Sequence, residues 1–241
     1  MMRINCDIGE RGPGHAVDRR LMKVIHIANL ACGGHAGDRA SVQAFRALAV
    51  ANGVELAAHL SYPDRANFGR QHLDMPLPAL LSSLEEQLGF LPGVPRVKFH
   101  GALYNESCCD RDLAAALGAW LAAAGIREIL APDDAAIARA ARGQGIAVLR
   151  EAFAERRYEY DGTGRRLGLV DRSRAHASIG DLETALAQAE EIVRRRRVNV
   201  NHSPGGRLRW RAIVADTICI HSDSAIALDL AAGLRRLIEA P

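Results

Sequence analysis

The 241-residue sequence predicts an α/β fold, a (β/α) barrel in which parallel strands are enclosed by helices. Short apolar runs alternate with longer segments of helical spacing along nearly the whole chain, which is the pattern of repeated β-then-α units. Polar residues follow the carboxyl ends of many runs, where a barrel places its active site. The motifs GxGxxG and GxxxxGKS/T, typical of open nucleotide-binding sheets, are both absent. We therefore favour the barrel over an open doubly wound sheet.

Apolar runs and helical spacing give the expected order of elements. Strands are expected at residues 3–8, 24–31, 54–59, 96–100, 128–131 and 147–151, with two more near 198–201 and 213–221. Helices are expected at residues 39–52, 80–91, 112–124, 135–142, 182–195 and 224–238. In the first helix Val42, Phe45 and Ala49 share one face, and Asp38 stands at the N-cap position.

Residues 156–172 fit neither pattern. The Asp161-Gly162 pair and the aromatic and charged residues around it indicate a hairpin or lid. Nothing in the sequence resembles a linker, a repeat or a low-complexity stretch. We therefore expect one barrel domain over residues 1–241.

Composition and charge exclude several classes of protein. Hydrophobic residues make up 49% and charged residues 24%, both ordinary for a globular protein. The net charge of +3 does not indicate a nucleic-acid partner. No apolar run approaches the length of a membrane span, and the start of the chain lacks a signal-peptide pattern. The five cysteines are odd in number and form no CxxC pair, so we expect a reducing, cytoplasmic location and no membrane partner.

Polar residues end most of the expected strands, and four histidines follow four different apolar runs. The carboxyl ends of parallel barrel strands meet at one mouth, so residues far apart in sequence become neighbours there. The candidate site residues are Asn5, Asp7, Glu10, His35, Asp38, His59, Lys98, His100, Tyr104, Asn105 and His221.

These residue types suggest acid–base chemistry on an anionic ligand, because carboxylates and imidazoles exchange protons near neutral pH. The expected catalytic residues are Asp7, Glu10, His59 and His100. The expected substrate-binding residues are Asn5, His35, Asp38, Lys98, Tyr104, Asn105 and His221. A divalent metal is an alternative, with Asp7, His35 and His59 as its ligands.

Lys98 stands in an apolar run, and a buried ammonium group is costly without an anion beside it. We expect that anion to be a carboxylate or phosphate of the ligand, with an ion pair to Glu151 or Asp7 as the structural alternative. On the first reading, Lys98→Met weakens anion binding strongly and has little effect on stability.

Five motifs, taken in chain order, resemble the LamB/YcsF family, the A subunit of the prokaryotic 5-oxoprolinase. The motifs are NCDIGE, ANLACGGHAGD, AAHLSYPD followed by FGR, VKFHGALYN and DTICIHSD. The resemblance implies a distorted (β/α) barrel similar to the glycoside hydrolase/deacetylase superfamily. It also implies ATP-dependent opening of 5-oxoproline to glutamate together with B and C subunits. The chain is a divergent member, since positions such as Gly34, Ser61 and Phe99 differ from the usual family residues.

Three functions remain open at the level of sequence. The first is lactam hydrolysis with B- and C-like subunits and ATP, in which Asp7 or His59 is the base, Lys98 the cation, and His100 with Asn105 the donors. The second is a metal-dependent amidohydrolase or deacetylase that acts alone. The third is a ligand-binding subunit without chemistry of its own.

Overall fold

Seven parallel strands close into a barrel in the computed structural model, which describes residues 2–160, 166–201 and 207–240. The barrel strands are β1 (Arg3–Ile8), β2 (Ile27–Ala31), β3 (Glu55–Leu60), β4 (Arg96–Phe99), β5 (Glu128–Ala131), β6 (Ala147–Phe153) and β11 (Thr217–His221). Their spatial order is β1-β11-β6-β5-β4-β3-β2, so neighbours in the sequence are neighbours in the barrel until β6. The predicted (β/α) barrel is confirmed.

Helices cover the outside of the barrel. They are α1 (Ala16–Leu21), α2 (Arg39–Asn52), α3 (Leu77–Leu88), α4 (Gly101–Cys109), α5 (Arg111–Ala123), α6 (Ala136–Gly143), α7 (Leu182–Arg195) and α8 (Ala227–Glu239). Helix α2 shows how sequence sets the bounds: the Asp38 carboxylate caps the amide of Ser41, and Gly53 ends the helix in the left-handed region. No helix in the described ranges is long and apolar enough to cross a membrane.

The segment between β6 and β11 leaves the barrel and carries two small antiparallel sheets. One pairs β7 (Tyr158–Tyr160) with β8 (Leu167–Leu169), and the other pairs β9 (Arg197–Asn199) with β10 (Trp210–Ala212). The first sheet confirms the hairpin expected within 156–172. The Asp161-Gly162 pair lies outside the described residues.

Three predicted strands are misplaced or start later than expected. The run at 213–221 becomes a barrel strand only at Thr217, since Ile213 still bonds to Arg196 beside the small sheet of β9 and β10. The run at 198–201 is not a barrel strand, because β9 turns back from α7 at the left-handed Arg196 and pairs outside the barrel. The run at 24–31 begins as strand only at Ile27, since Ile25 still bonds to Leu21 in the turn after α1. An apolar run indicates that a segment is buried, but burial alone does not determine which sheet the segment joins.

The core has two parts. Apolar side chains on the outer face of the strands, such as Ile4, pack against apolar side chains of the helices, such as Phe45, Leu84, Leu117 and Leu234. A separate cluster fills the barrel interior from four strands: Ile27, Ala57, Leu130 and Leu149. Because side chains alternate along a strand, the residues two positions further along point into the barrel above this apolar floor. This alternation places polar groups such as Asn29 and His59 at the mouth.

Candidate active site at the barrel mouth

The carboxyl ends of the barrel strands surround an open cavity of about 750 Å³. Its walls come from β1, β3, β4, β6, β11 and the loops after them. The lining residues are Asp7, Glu10, His59, Phe68, Arg70, Lys98, Phe99, His100, Gly101, Tyr104, Asn105, Phe153, Arg156, Leu169, Asp171, Arg172, His221 and Asp223. The residues after β8 are among them, so the hairpin segment borders the cavity and forms one of its walls.

Lys98 is the charged centre of the cavity floor and is only 3% exposed. Its Nζ lies 2.9 Å from Asp7 Oδ1, 3.1 Å from Glu151 Oε1 and 3.0 Å from Cys219 Sγ. Burial acts to lower the pKa of Lys98, but the nearby Asp7 and Glu151 carboxylates, with the hydrogen bond to Cys219, raise it well above its usual value. The lysine is therefore a cation held between two buried carboxylates.

Asp7 is ionised and firmly oriented. Its Oδ1 accepts from Lys98 and, at 2.8 Å, from Asn29 Nδ2, while Oδ2 lies 3.3 Å from His59 Nε2. Burial acts to raise the pKa of Asp7, yet His59 and Lys98 bring it well below its usual value. One oxygen of Asp7 is thus fixed, and the other is directed toward the histidines.

One ring nitrogen of His59 and one of His100 form hydrogen bonds with backbone carbonyls. His59 Nδ1 lies 3.2 Å from the Lys98 carbonyl, and His100 Nε2 lies 2.9 Å from the Phe68 carbonyl. A carbonyl only accepts, so these two nitrogens carry the protons. The remaining nitrogens, His59 Nε2 and His100 Nδ1, face each other at 3.0 Å.

Glu10 and His35 complete this group. His35 stacks on His100 with ring centroids 3.7 Å apart, and its Nε2 lies 3.0 Å from Glu10 Oε1. Its Nδ1 is buried without a hydrogen-bond partner. Burial, together with the Asp7 charge, raises the pKa of Glu10 to about 7.

The four side chains together are compatible with a divalent metal. In the described part of the chain, Glu10, His35, His59 and His100 offer ligand atoms that all lie within 4.8 Å of one another. His35 and His59 are two of the metal ligands expected from sequence. Asp7, the third, falls instead in a separate group with Cys219 and His221, because Lys98 and Asn29 hold it at the cavity floor.

The Phe68 carbonyl is held in place by unusual backbone. Phe68 has a φ of 56°, a left-handed conformation that is costly for a residue with a side chain. The carbonyl of the next residue, Gly69, accepts from the Ala102 amide, and a side chain on Gly101 would lie 2.2 Å from that carbonyl oxygen. The strained turn and the start of α4 therefore fix the orientation of His100.

The outer part of the cavity carries the arginines Arg70, Arg156 and Arg172 together with Asp171 and Asp223. Arg172 donates to His221 Nε2 at 2.8 Å, and His221 Nδ1 lies 3.0 Å from Glu155. Arg156 is 6% exposed and donates to the carbonyls of Val170 and Ala177, and it makes no ion pair with another described residue. Burial, with Arg172 nearby, lowers the pKa of Arg156 to about 10. A guanidinium buried in this way is suited to an anionic ligand.

Comparison with known proteins identifies the family. The model of the LamB/YcsF family matches residues 2–241. The chain belongs to the LamB/YcsF family. It is similar to the crystal structure of a lactam utilization protein from Thermus thermophilus, with 32% identity, 99% of this chain and 96% of that chain covered, and a TM-score of 0.79.

Two other solved structures share less with this LamB/YcsF chain. The GH20 catalytic modules of the pneumococcal exo-β-D-N-acetylglucosaminidase StrH have 10% identity, a TM-score of 0.46, and cover 98% of this chain and 82% of theirs. A xylose isomerase domain protein from Planctomyces limnophilus has 16% identity, a TM-score of 0.43, and 98% coverage of both chains.

The structure brings most of the candidate residues of this LamB/YcsF chain to one cavity. Eight line it directly: Asp7, Glu10, His59, Lys98, His100, Tyr104, Asn105 and His221. His35 lies behind His100, and Asn5 lies below the floor, where its Oδ1 accepts from Asn29 and Lys98. Asp38 is exposed and acts as the cap of α2, outside the cavity lining. Its carboxylate is already used by the Ser41 amide, which explains its position.

Reasoning from sequence missed several contributors to the cavity of this LamB/YcsF chain, among them Phe68, Glu155, Arg156 and Arg172. Phe68 and Arg172 follow no simple strand-end pattern. Glu155 and Arg156 had a usable signal, because β6 runs on to Phe153 and they stand just after its end. Phe68 acts through its backbone, which residue type does not reveal.

Proposed function

We propose that this chain performs the hydrolytic step of an ATP-dependent 5-oxoprolinase, opening 5-oxoproline to glutamate together with B- and C-like subunits. The observation that carries this proposal is the Asp7 carboxylate, paired with Lys98, at the floor of a cavity that Arg156 and Arg172 line, in a chain of the LamB/YcsF family. The similar lactam utilization protein supports a lactam as the substrate class.

The reaction requires activation of a stable amide. Transfer of the ATP γ-phosphoryl group to the lactam oxygen activates the ring carbon. One water adds to that carbon, and the C–N bond then breaks as the ring nitrogen takes a proton, which leaves the acyl phosphate of glutamate. A second water attacks this acyl phosphate and releases phosphate and glutamate. The partners supply the phosphoryl transfer in this proposal, because this sequence lacks both common nucleotide motifs. An ATP-coupled reaction also places the complex in the cytoplasm.

The residues of this chain have distinct tasks in the water attack. Asp7 Oδ2 accepts the proton of the attacking water as general base, while Lys98 and Asn29 hold Oδ1 and keep the carboxylate ionised. Arg156 and Arg172 bind the substrate carboxylate or the transferred phosphate. These two guanidinium groups line the cavity, where the proposed reaction brings or creates an anion.

Reconstitution tests the proposal. The chain is mixed with purified B- and C-like subunits, ATP, Mg²⁺ and 5-oxoproline, and glutamate and phosphate are measured together. We expect the two products in equal amounts, and only when all three subunits are present. A complete mixture that forms no glutamate from 5-oxoproline, with each protein folded, would contradict the proposal.

A second candidate is a metal-dependent amidohydrolase that acts alone. The group formed by Glu10, His35, His59 and His100 favours it, because three imidazoles and a carboxylate are typical ligands of catalytic metals. Hydrolysis of an amide by the isolated chain with Zn²⁺ or Mn²⁺, without ATP, would support this candidate.

A further inference from the structure

The two nitrogens that His59 and His100 direct at each other pose a chemical problem. The carbonyls of Lys98 and Phe68 take the N–H groups of these rings, so neutral rings present lone pairs to each other at 3.0 Å. The same His59 Nε2 also lies 3.3 Å from Asp7 Oδ2. Acceptors at such distances repel unless a cation lies between them. The candidates are a proton on His59 Nε2, shared with His100 or Asp7, and a metal ion bound by both rings.

We propose a divalent transition-metal site, of the kind that binds Zn²⁺, formed by Glu10, His35, His59 and His100. The proposal does not depend on the 5-oxoprolinase reaction. Nothing in that reaction requires these four side chains to act as ligands.

Distances support a metal over a shared proton. Glu10 Oε1 lies 3.0 Å from His35 Nε2, 3.8 Å from His100 Nδ1 and 4.0 Å from His59 Nε2. Ligands at about 2.0–2.2 Å from a tetrahedral ion are roughly 3.3–3.6 Å apart, and these separations span that value. A shared proton would be bound by only two of the four side chains, whereas the ligand atoms of all four lie within 4.8 Å of one another.

The electrostatics of the group point the same way. His35 and His100 are buried and stacked on each other, and such surroundings disfavour the charged form of an imidazole. Neutral imidazole is the form that binds metals. Three nitrogens and one carboxylate oxygen favour Zn²⁺ or a similar ion over Mg²⁺ or Ca²⁺, which prefer oxygen ligands throughout.

The backbone carbonyls of Lys98 and Phe68 accept hydrogen bonds from the ring nitrogens of His59 and His100 that do not face the metal site. In metal sites, a ligating histidine commonly donates its second nitrogen to a carbonyl or carboxylate, which fixes the ring orientation. His59 and His100 both show this arrangement. The left-handed Phe68, whose carbonyl holds His100, supplies that contact at a cost in backbone strain.

Cobalt titration of the full-length chain tests the site. The protein is stripped with a chelator, checked for folding by circular dichroism, and titrated with Co²⁺. We expect one equivalent to bind, with visible d–d bands and without a sulfur-to-cobalt charge-transfer band. A folded wild-type protein that binds no Co²⁺ and no Zn²⁺ would overturn the proposal and leave the shared proton as the explanation.

Variants locate the ion. We expect His35→Gln and His100→Gln each to weaken Co²⁺ binding at least about ten-fold, while the exposed His72→Gln binds as the wild type does. The other candidate group is Asp7, Cys219 and His221. A loss confined to His221→Gln, or a sulfur charge-transfer band, would assign the ion to that group and contradict the proposal. The titration uses no substrate, ATP or partner, so its outcome is independent of the proposed reaction.

Discussion

At the scale of single residues, the ion pairs of Lys98 with Asp7 and Glu151 in the cavity floor determine whether this lysine binds a ligand or stabilises the fold. Sequence alone suggested an anion-binding lysine whose loss has little effect on stability. In the structure its ammonium group contacts Asp7, Glu151, Asn5 and Cys219, so its donors are already engaged. The structural alternative, an ion pair with Glu151 or Asp7, is the arrangement present. A ligand anion reaches Lys98 only by displacing one of these groups.

Lys98→Met therefore tests a role in stability. The change leaves Asp7 and Glu151 as buried carboxylates without their cation, which costs about 3–5 kcal/mol. Chemical denaturation measures this free energy of unfolding. Lys23, the other lysine, is exposed, and Lys23→Met is the matched control with an expected change below about 0.5 kcal/mol. Equal stability of the two variants would contradict the ion-pair account.

Arg172 tests anion recognition at the rim. It is exposed and lines the cavity, so Arg172→Gln removes a guanidinium without disturbing the core. We expect KM for 5-oxoproline to rise about 10-fold or more, because a charge-assisted hydrogen bond contributes about 1.5–3 kcal/mol. Arg174→Gln is the control, since Arg174 pairs with Glu159 and lies outside the cavity lining. An unchanged KM in Arg172→Gln would remove this residue from substrate binding.

At the scale of elements, the strands were easier to predict than the short helices between them. Helix α4 begins at Gly101, almost directly after β4. The expected strand 96–100 therefore ends one residue earlier, at Phe99. Cys108 is buried within this helix. The sequence pattern predicts no helix between residues 100 and 112, so α4 was missed. The sequence of α4, GALYNESCC, mixes polar residues and cysteines at positions that give no clear apolar face. The helix forms because tertiary packing overrides this weak pattern.

Gly101 allows α4 to begin directly after β4 while its backbone lies against the Gly69 carbonyl. The variant Gly101→Ala tests this role. The residue has a φ of 58°, and an added Cβ would meet the Gly69 carbonyl. We expect a loss of more than about 3 kcal/mol, beyond the roughly 1–2 kcal/mol of left-handed strain alone. Gly125→Ala is the matched control, with a φ of 74° and no atom within 4 Å. Similar losses in both variants would show that contact with Gly69 is unimportant.

The ion pair between β6 and the start of β11 gives a pH prediction. Asp216 accepts from the Arg150 guanidinium at 2.7 Å through both oxygens, and this bonding lowers its pKa below the usual value. A lowered pKa in the folded state adds stability above the unfolded-state pKa near 3.9, and this stability is lost as pH falls through the lower folded-state pKa.

Asp216→Asn is therefore expected to cost up to about 1 kcal/mol at pH 7, a small value because the pair is partly exposed. The difference from wild type should shrink as pH falls below about 4. Urea denaturation at several pH values measures both. If the difference in free energy of unfolding between Asp216→Asn and the wild type stays constant down to pH 3, or grows there, the lowered pKa of Asp216 does not contribute to stability as described.

At the scale of the whole molecule, the barrel converts sequence positions that are far apart into one site. The polar strand ends of β1, β3, β4 and β11 could be recognised without a structure, because parallel strands direct their carboxyl ends to one mouth. What could not be recognised was the pairing inside that mouth. Which oxygen of Asp7 is free, and which nitrogen of His100 is protonated, depend on side-chain rotamers and backbone carbonyls that residue type does not specify.

The most direct measurement of the central claim is glutamate formation by the complete three-subunit mixture with Asp7→Asn in this chain. Asparagine keeps the shape of Asp7 but removes its ability to accept the proton of water, so we expect glutamate formation to fall at least about 100-fold. Asp38→Asn is the matched control, because asparagine also caps a helix and Asp38 lies outside the cavity lining. It should retain wild-type activity. Near-wild-type glutamate formation by a folded Asp7→Asn complex would contradict the account.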